Sequence, residues 1–174
     1  MLDLQLIFVV ETSKQSKSDW IYIKETIDKF FIYDNAHVKL SVVYMNGKSR
    51  YSTKEKEITS LKSQFDQRHR KCESKVMYCF DCDEYDKKRE DADFLEKVER
   101  FCKEKKYDLV WFCKDIEQVY LGKRIANNKK TDEAKGFKSR NDIEHIDKKN
   151  LSCDIYKVNK SNIINVIGKY LELK

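Results

Sequence analysis

Asp81 and Asp83 stand one residue apart at the end of an apolar run, Val76-Met77-Tyr78-Cys79-Phe80. If the chain stays extended there, alternation puts both carboxylates on one side. They can then share one divalent cation, which cancels their repulsion and serves phosphate chemistry. Glu84 and Asp86 follow at once and add acid to the same segment. The run is not an EF-hand loop: counted from Asp81, the sixth position is Asp86 where that loop needs glycine.

Cys79-x-x-Cys82 lies across the same stretch, but the chain has no second pair at zinc-ligand spacing. A thioredoxin-like pair would open a helix, whereas this one straddles a strand end. Most of the six cysteines fall inside apolar runs, as reduced core thiols do. His37, His69 and His145 have no ligand spacing to one another or to a cysteine, so no chemistry is assigned to them.

The elements that must position the acids are legible as apolar runs and stripes. Leu4 to Val10 reads as a central strand covered on both faces, ending at Glu11. Ser18 reads as the cap of a helix with Trp20, Ile23, Ile27, Phe30 and Phe31 on one stripe. Val38 to Tyr44 is a second strand, followed by a turn at Gly47 flanked by Lys48 and Arg50. Ser52-x-x-Glu55 has the form of a capping box, with Ile58, Leu61 and Phe65 inward beyond it. Val76 to Phe80 is the third strand, and a helix from about Asp91 leads to a fourth, Tyr107 to Cys113.

Ile116, Val119 and Tyr120 give a short helix, and residues 122–150 read as a polar, basic loop or insertion. Cys153 to Val158 reads as a short edge strand, before a last helix, capped at Asn159 or Ser161, that carries Ile163, Ile164, Ile167, Tyr170 and Leu171. Strands alternating with helices of this length predict one α/β domain, with a mainly parallel sheet of four to five strands between helices. In such a sheet ligands collect at the carboxyl ends of the strands. Glu11, Gly47, the Asp81–Asp83 pair, Asp115 and Glu117 all fall on that edge.

The totals are consistent with this. A chain of 174 residues with 40% hydrophobic content can bury a full core without staples. Proline is absent and glycine occurs four times, which excludes collagenous and linker architectures. No apolar run is long enough to span a membrane and no basic leader opens the chain, so a cytoplasmic protein is expected. The net charge of +6 lies wholly after Leu121: up to there basic and acidic residues number 23 each, and beyond it 13 and 7. Acids at the centre beside a basic last third suit a polyanion that also needs a metal.

The pattern resembles a Toprim domain, the metal-binding fold of topoisomerases, primases and several nucleases. Its marks are a Glu after the first strand, a turn glycine after the second and Asp-x-Asp after the third, here Glu11, Gly47 and Asp81-x-Asp83. The layout from Val10 to Leu121 is similar to the compact RloB-like and OLD-family Toprim nucleases. Phe8-Val9-Val10-Glu11 followed by Ser18-Asp19-Trp20-Ile21-Tyr22 matches that group's entrance to its first helix, and Phe112 to Glu117 stands where its fourth-strand Glu motif stands. Thr12 replaces the glycine that usually follows the Toprim Glu.

The resemblance implies a Rossmann-like Toprim core over residues 1–121, with residues 122–174 packed on the same domain. It implies Mg²⁺- or Mn²⁺-dependent phosphodiester hydrolysis of RNA or DNA, in defence against mobile elements. Asp81 and Asp83 would hold the metal, with Glu11 as a further ligand or general acid/base, and Glu117, Glu84 or Asp86 would complete a second site if two metals are used. Lys48 and Arg50 would hold a phosphate, while Lys123, Arg124, Lys138 and Arg140 would track a nucleic-acid strand. No P-loop occurs in the sequence, so an ATPase or sensor partner would be a separate chain. The competing class is a binding module that holds nucleic acid or a partner without turnover.

Overall fold

The computed structural model describes residues 2–174. In chain order the elements are β1 (Asp3–Val10), α1 (Ser18–Phe30), β2 (Phe31–Ile32), β3 (Val38–Tyr44), α2 (Glu55–Asp66), β4 (Cys72–Asp81), α3 (Arg89–Lys105), β5 (Asp108–Cys113), α4 (Ile116–Leu121), α5 (Lys130–Ser139), β6 (Lys160–Ser161), α6 (Ile163–Ile167) and β7 (Glu172–Leu173). Five strands form the main sheet in the order β3-β1-β4-β5-β6. The first four are parallel, with Leu4 opposite Val38, Val9 opposite Tyr78 and Asp81 opposite Phe112. β6 closes the edge antiparallel to β5, and β2 pairs separately with β7. The expected α/β architecture, a mostly parallel sheet between helices, is the one observed.

Alternation sorts the central strand between two cores. Leu6, Phe8 and Val10 join Met77, Cys79, Val110 and Phe112 beneath α1, α4, α5 and α6. Ile7 and Val9 join Val76, Tyr78 and Phe80 beneath Ile58 of α2 and Val98 of α3. Each fully buried side chain of this size contributes about 1.5–3 kcal/mol. This burial on both faces is why the strand reads as a continuous apolar run rather than an alternating one. The buried Gln5 is satisfied across three strands, donating to Ser41 Oγ at 3.0 Å and accepting from Ser74 Oγ at 2.8 Å.

Several local expectations are corrected. Residues 122–150 are not a loop: they hold α5 and three short 3₁₀ turns, at Asn127–Lys129, Asp142–His145 and Lys148–Leu151. Only Ala134 and Phe137 of α5 are buried, so its apolar stripe is two residues wide and leaves little periodicity to read. Phe137 meets Tyr22 and Tyr120 edge-on, with ring centres 5.0 and 5.7 Å apart. The caps predicted at Ser18 and Ser52 do not form, whereas Ser161 Oγ accepts from Ile163 N–H, the first of α6, at 3.1 Å. α1 starts after Lys17 in a left-handed conformation, and Ser52 lies within a 3₁₀ turn (Lys48–Thr53) that precedes α2.

The edge strand is Lys160–Ser161, not Cys153 to Val158, and α6 ends at Ile167, before Tyr170 and Leu171. The side chain of Asn162 substitutes for further pairing: its Oδ1 accepts from Trp111 N–H and its Nδ2 donates to Leu109 C=O, both at 2.9 Å. Asn162→Ala is expected to lower stability by about 1–3 kcal/mol, since a donor and an acceptor of β5 lose their partner. Urea unfolding checks this as a lower midpoint at unchanged slope. Among the described residues no helix is long and apolar enough to cross a membrane.

Candidate functional site

The chain leaves β1 toward β3 on one side and leaves β4 toward β5 on the other, so a crevice opens between the carboxyl ends of β1 and β4. In open parallel sheets ligands bind at this kind of switch point. Glu11 ends one side of the crevice and Asp81 the other. Glu11 Oε1 accepts from Asp81 N–H at 2.8 Å, so two residues 70 apart in sequence are in direct contact. Asp81 Oδ1 in turn accepts from Ile116 N–H at 2.9 Å, at the start of α4, where Asp115 Oδ1 caps Gln118 N–H at 2.8 Å.

The turn after β3 is tied to the same crevice. Gly47 N–H donates to Glu11 C=O at 2.9 Å, from a backbone with φ of 116° that other residues adopt only under strain. This contact swings Lys48 over the rim, where it pairs with Asp83, lies 3.6 Å from Asp91 and sits 4.8 Å above the Phe94 ring. Asp83 is not an alternation partner of Asp81. The strand stops at Asp81, and Asp83 takes a left-handed φ of 49°, anchored by its N–H to Lys114 C=O at 2.7 Å. The two carboxylates therefore reach the crevice by different routes, Asp81 from the strand and Asp83 from the turn.

Deeper in, the structure adds Asp19 and Lys130, which the sequence reading did not single out as site residues, beside Glu117, which it did. Asp19, in the first turn of α1, is 8% exposed, and Glu117, in α4, is fully buried. Lys130, the first residue of α5, places its ammonium 2.9 Å from Glu117 Oε2. That contact is a charge pair without hydrogen-bond alignment: among the described residues, both Glu117 oxygens and Thr12 Oγ1 are buried with no hydrogen-bond partner. The only local signal was position, since the first turn of a helix that follows a strand faces that strand's carboxyl end.

Burial and crowding hold these acids toward their neutral forms. Burial, and then the charge of Asp19, push Glu11 up to about 8, with Asp83 adding to the effect. Burial and Glu117 push Asp19 up to about 7. Burial and Glu11 hold Asp81 well above the usual carboxylate range, and burial raises Glu117. Acids raised in this way bind protons in the folded state that the unfolded chain has already released. Their stabilisation is complete below the ordinary values of 3.8 and 4.5 and is lost as pH rises through about 7 and about 8. The metal-free protein is therefore expected to lose on the order of 1–3 kcal/mol between pH about 5 and about 8. Melting curves check this: Glu11→Gln or Asp19→Asn should flatten the slope.

The other candidate residues divide clearly. Asp86 lies outside the crevice, 3.1 Å from Lys114, which also meets Glu84 at 2.7 Å; this lysine lowers both acids, as in ordinary ion pairs. Arg50 and Lys123 are exposed on rim loops, and Arg124 lies 3.5 Å from Glu84. Lys138 and Arg140 are not at the rim. Lys138 is eight residues along α5 from Lys130, about 12 Å down the helix, and lies 3.5 Å from Glu25, while Arg140 lies 2.7 Å from Asp142.

Comparison with protein-family models, curated proteins and solved structures finds no match.

The crevice thus gathers Glu11, Asp19, Asp81, Asp83 and Glu117, with Lys48 and Lys130 on either side. Their oxygens turn to internal N–H groups and lysines, and no three His, Cys, Asp or Glu side chains among the described residues form a metal-ligand group. The donor set is nevertheless all oxygen and crowded with like charge, with two buried oxygens left unbonded on Glu117. That is the chemistry a hard divalent cation fits.

Proposed function

We propose that this chain is a Toprim-like, Mg²⁺- or Mn²⁺-dependent phosphodiester hydrolase acting on nucleic acid. The observation that carries the reading is the meeting of Glu11 and Asp81 at the switch point, backed by buried Asp19 and Glu117, whose repulsion the ammonium of Lys130 and nearby backbone N–H groups offset in part. Folding alone gains nothing from burying acids together. Asp81, Asp83 and Glu11 would hold the cation, which when bound polarises a phosphoryl oxygen and stabilises developing negative charge.

The chain's own residues do the rest. Glu11, poised near neutral pH, holds or moves a proton at the carboxylate oxygen that does not face Asp81 N–H. Lys48, tethered between Asp83 and Asp91, sits where a phosphate enters the crevice. Each loop at the rim carries basic residues, among them Lys14, Lys17, Arg50, Lys87, Lys88, Lys123, Arg124 and Lys157, which suits a phosphate backbone. Glu117 belongs to the inner group with Asp19, and Asp86 to the outer pair with Lys114. The same reading carries a separate ATPase or sensor chain as partner and a role against mobile elements.

A binding module without turnover is favoured by one observation: Glu11, Asp81, Asp83 and Glu117 each already contact an internal donor or cation. Thermal melting against Mg²⁺ and Mn²⁺ separates the two. A cation at one hundred times its dissociation constant stabilises by about 2.7 kcal/mol, roughly 5–10 °C for a chain of this size. That shift supports the hydrolase, and a melt unmoved by either ion supports the binding module.

A further inference from the structure

Cys82 and Cys113 form a thiol pair that this reading does not use. The parallel register of β4 and β5 ends with Asp81 opposite Phe112, and the next step brings Cys82 opposite Cys113. Cys82 N–H donates to Phe112 C=O at 2.9 Å and Asp83 N–H to Lys114 C=O at 2.7 Å, so the ladder continues through the pair. Neighbouring strands lie about 4.8 Å apart, inside the Cα separation that a disulfide spans, about 4.4–6.8 Å. The two sulfurs face each other at 2.7 Å, with both thiols free. They sit in a small apolar cluster with Leu95 and Trp111, against which the part-exposed Cys153 also packs.

We propose that Cys82 and Cys113 are a reversible oxidation site, converted to a disulfide by a low-molecular-weight disulfide. One cysteine sulfur attacks the oxidant, breaking its S–S bond and releasing one thiol; the second sulfur attacks the mixed disulfide and releases the other. The two cysteines lose two electrons and two protons, and the oxidant becomes two thiols. The bond would pin the turn that carries Asp83 to the strand leading into α4. The inference rests on strand register and sulfur geometry and is independent of the chemistry proposed for the acids.

Both thiols are buried, 2% and 0% exposed, so the full-length protein is incubated with cystamine in buffer and in urea just below its unfolding transition. Thiols are then counted after denaturation, and the cross-linked peptides are identified by mass spectrometry. The expected result is the loss of two thiols beyond any mixed disulfides of the part-exposed Cys72 and Cys153, a peptide joining Cys82 to Cys113, full recovery with dithiothreitol, and the same bridge in Cys79→Ser. Six thiols under both conditions, or a bridge from either residue to Cys79 or Cys153, overturns the proposal. Cys82→Ser and Cys113→Ser should each abolish the loss of two thiols. If either variant does not fold, the wild-type peptide map alone decides.

Discussion

Asp81→Asn is expected to raise the melting temperature of the metal-free protein in mildly alkaline buffer and, at the same time, to abolish its response to Mg²⁺ or Mn²⁺. The amide keeps an oxygen for Ile116 N–H, so the bond that starts α4 survives. What disappears is one of the acids that burial and Glu11 hold well above its ordinary range. Removing a charge that its neighbours oppose relieves the folded state. A cation, by contrast, loses its ligand at the strand end, and any cation-dependent cleavage should fall by about 10²-fold or more.

Asp83→Asn separates the two effects. Its ion pair with Lys48 is part-exposed, so metal-free stability should move by no more than about 0.5 kcal/mol, while the cation response is again lost. Circular dichroism melts with and without Mn²⁺, beside a cleavage assay on labelled RNA and DNA, read both variants. A full Mn²⁺ shift in Asp81→Asn would remove Asp81 from the site.

Lys130→Met should be the most damaging single change to stability. Glu117 is fully buried, and among the described residues its oxygens have no aligned hydrogen bond and Lys130 is its one close cation. Taking one member from a buried pair strands the other charge, at a cost of about 3–5 kcal/mol, or roughly 10 °C in melting temperature at this chain length. The double variant Lys130→Met/Glu117→Gln should recover most of the loss, because no charge is then left behind. Urea unfolding of the two singles and the double closes the cycle. A loss below about 1 kcal/mol in Lys130→Met would mean that Glu117 is already neutral in the fold.

What was legible in the sequence follows from how each feature is encoded. Val38–Tyr44 forms as predicted and β1 and β5 to within a residue, since strands buried on both faces are apolar along their whole length. α5 was not legible, because Ala134 and Phe137 are its only buried residues and ten residues with two apolar contacts look like a solvated loop. The caps at Ser18 and Ser52 were misread for a related reason: a serine that can bond backbone locally is equally at home in a turn.

Within the site, Glu11 and Asp81 could be placed together from topology, since both end adjacent parallel strands. Asp19 and Lys130 could not, because their roles depend on where helices land in space. The side-by-side placement of Asp81 and Asp83 failed at one backbone angle, the left-handed turn at Asp83.

Asn162 has an effect beyond the two bonds it makes. β6 covers only Phe112 and Cys113 of the last long strand, which leaves Asp108 to Trp111 as an open template for a strand from another molecule. By occupying Trp111 N–H and Leu109 C=O, one amide side chain acts as a false strand and blunts that edge. The protein thereby keeps its sheet from being extended by a neighbour without spending further residues on β structure.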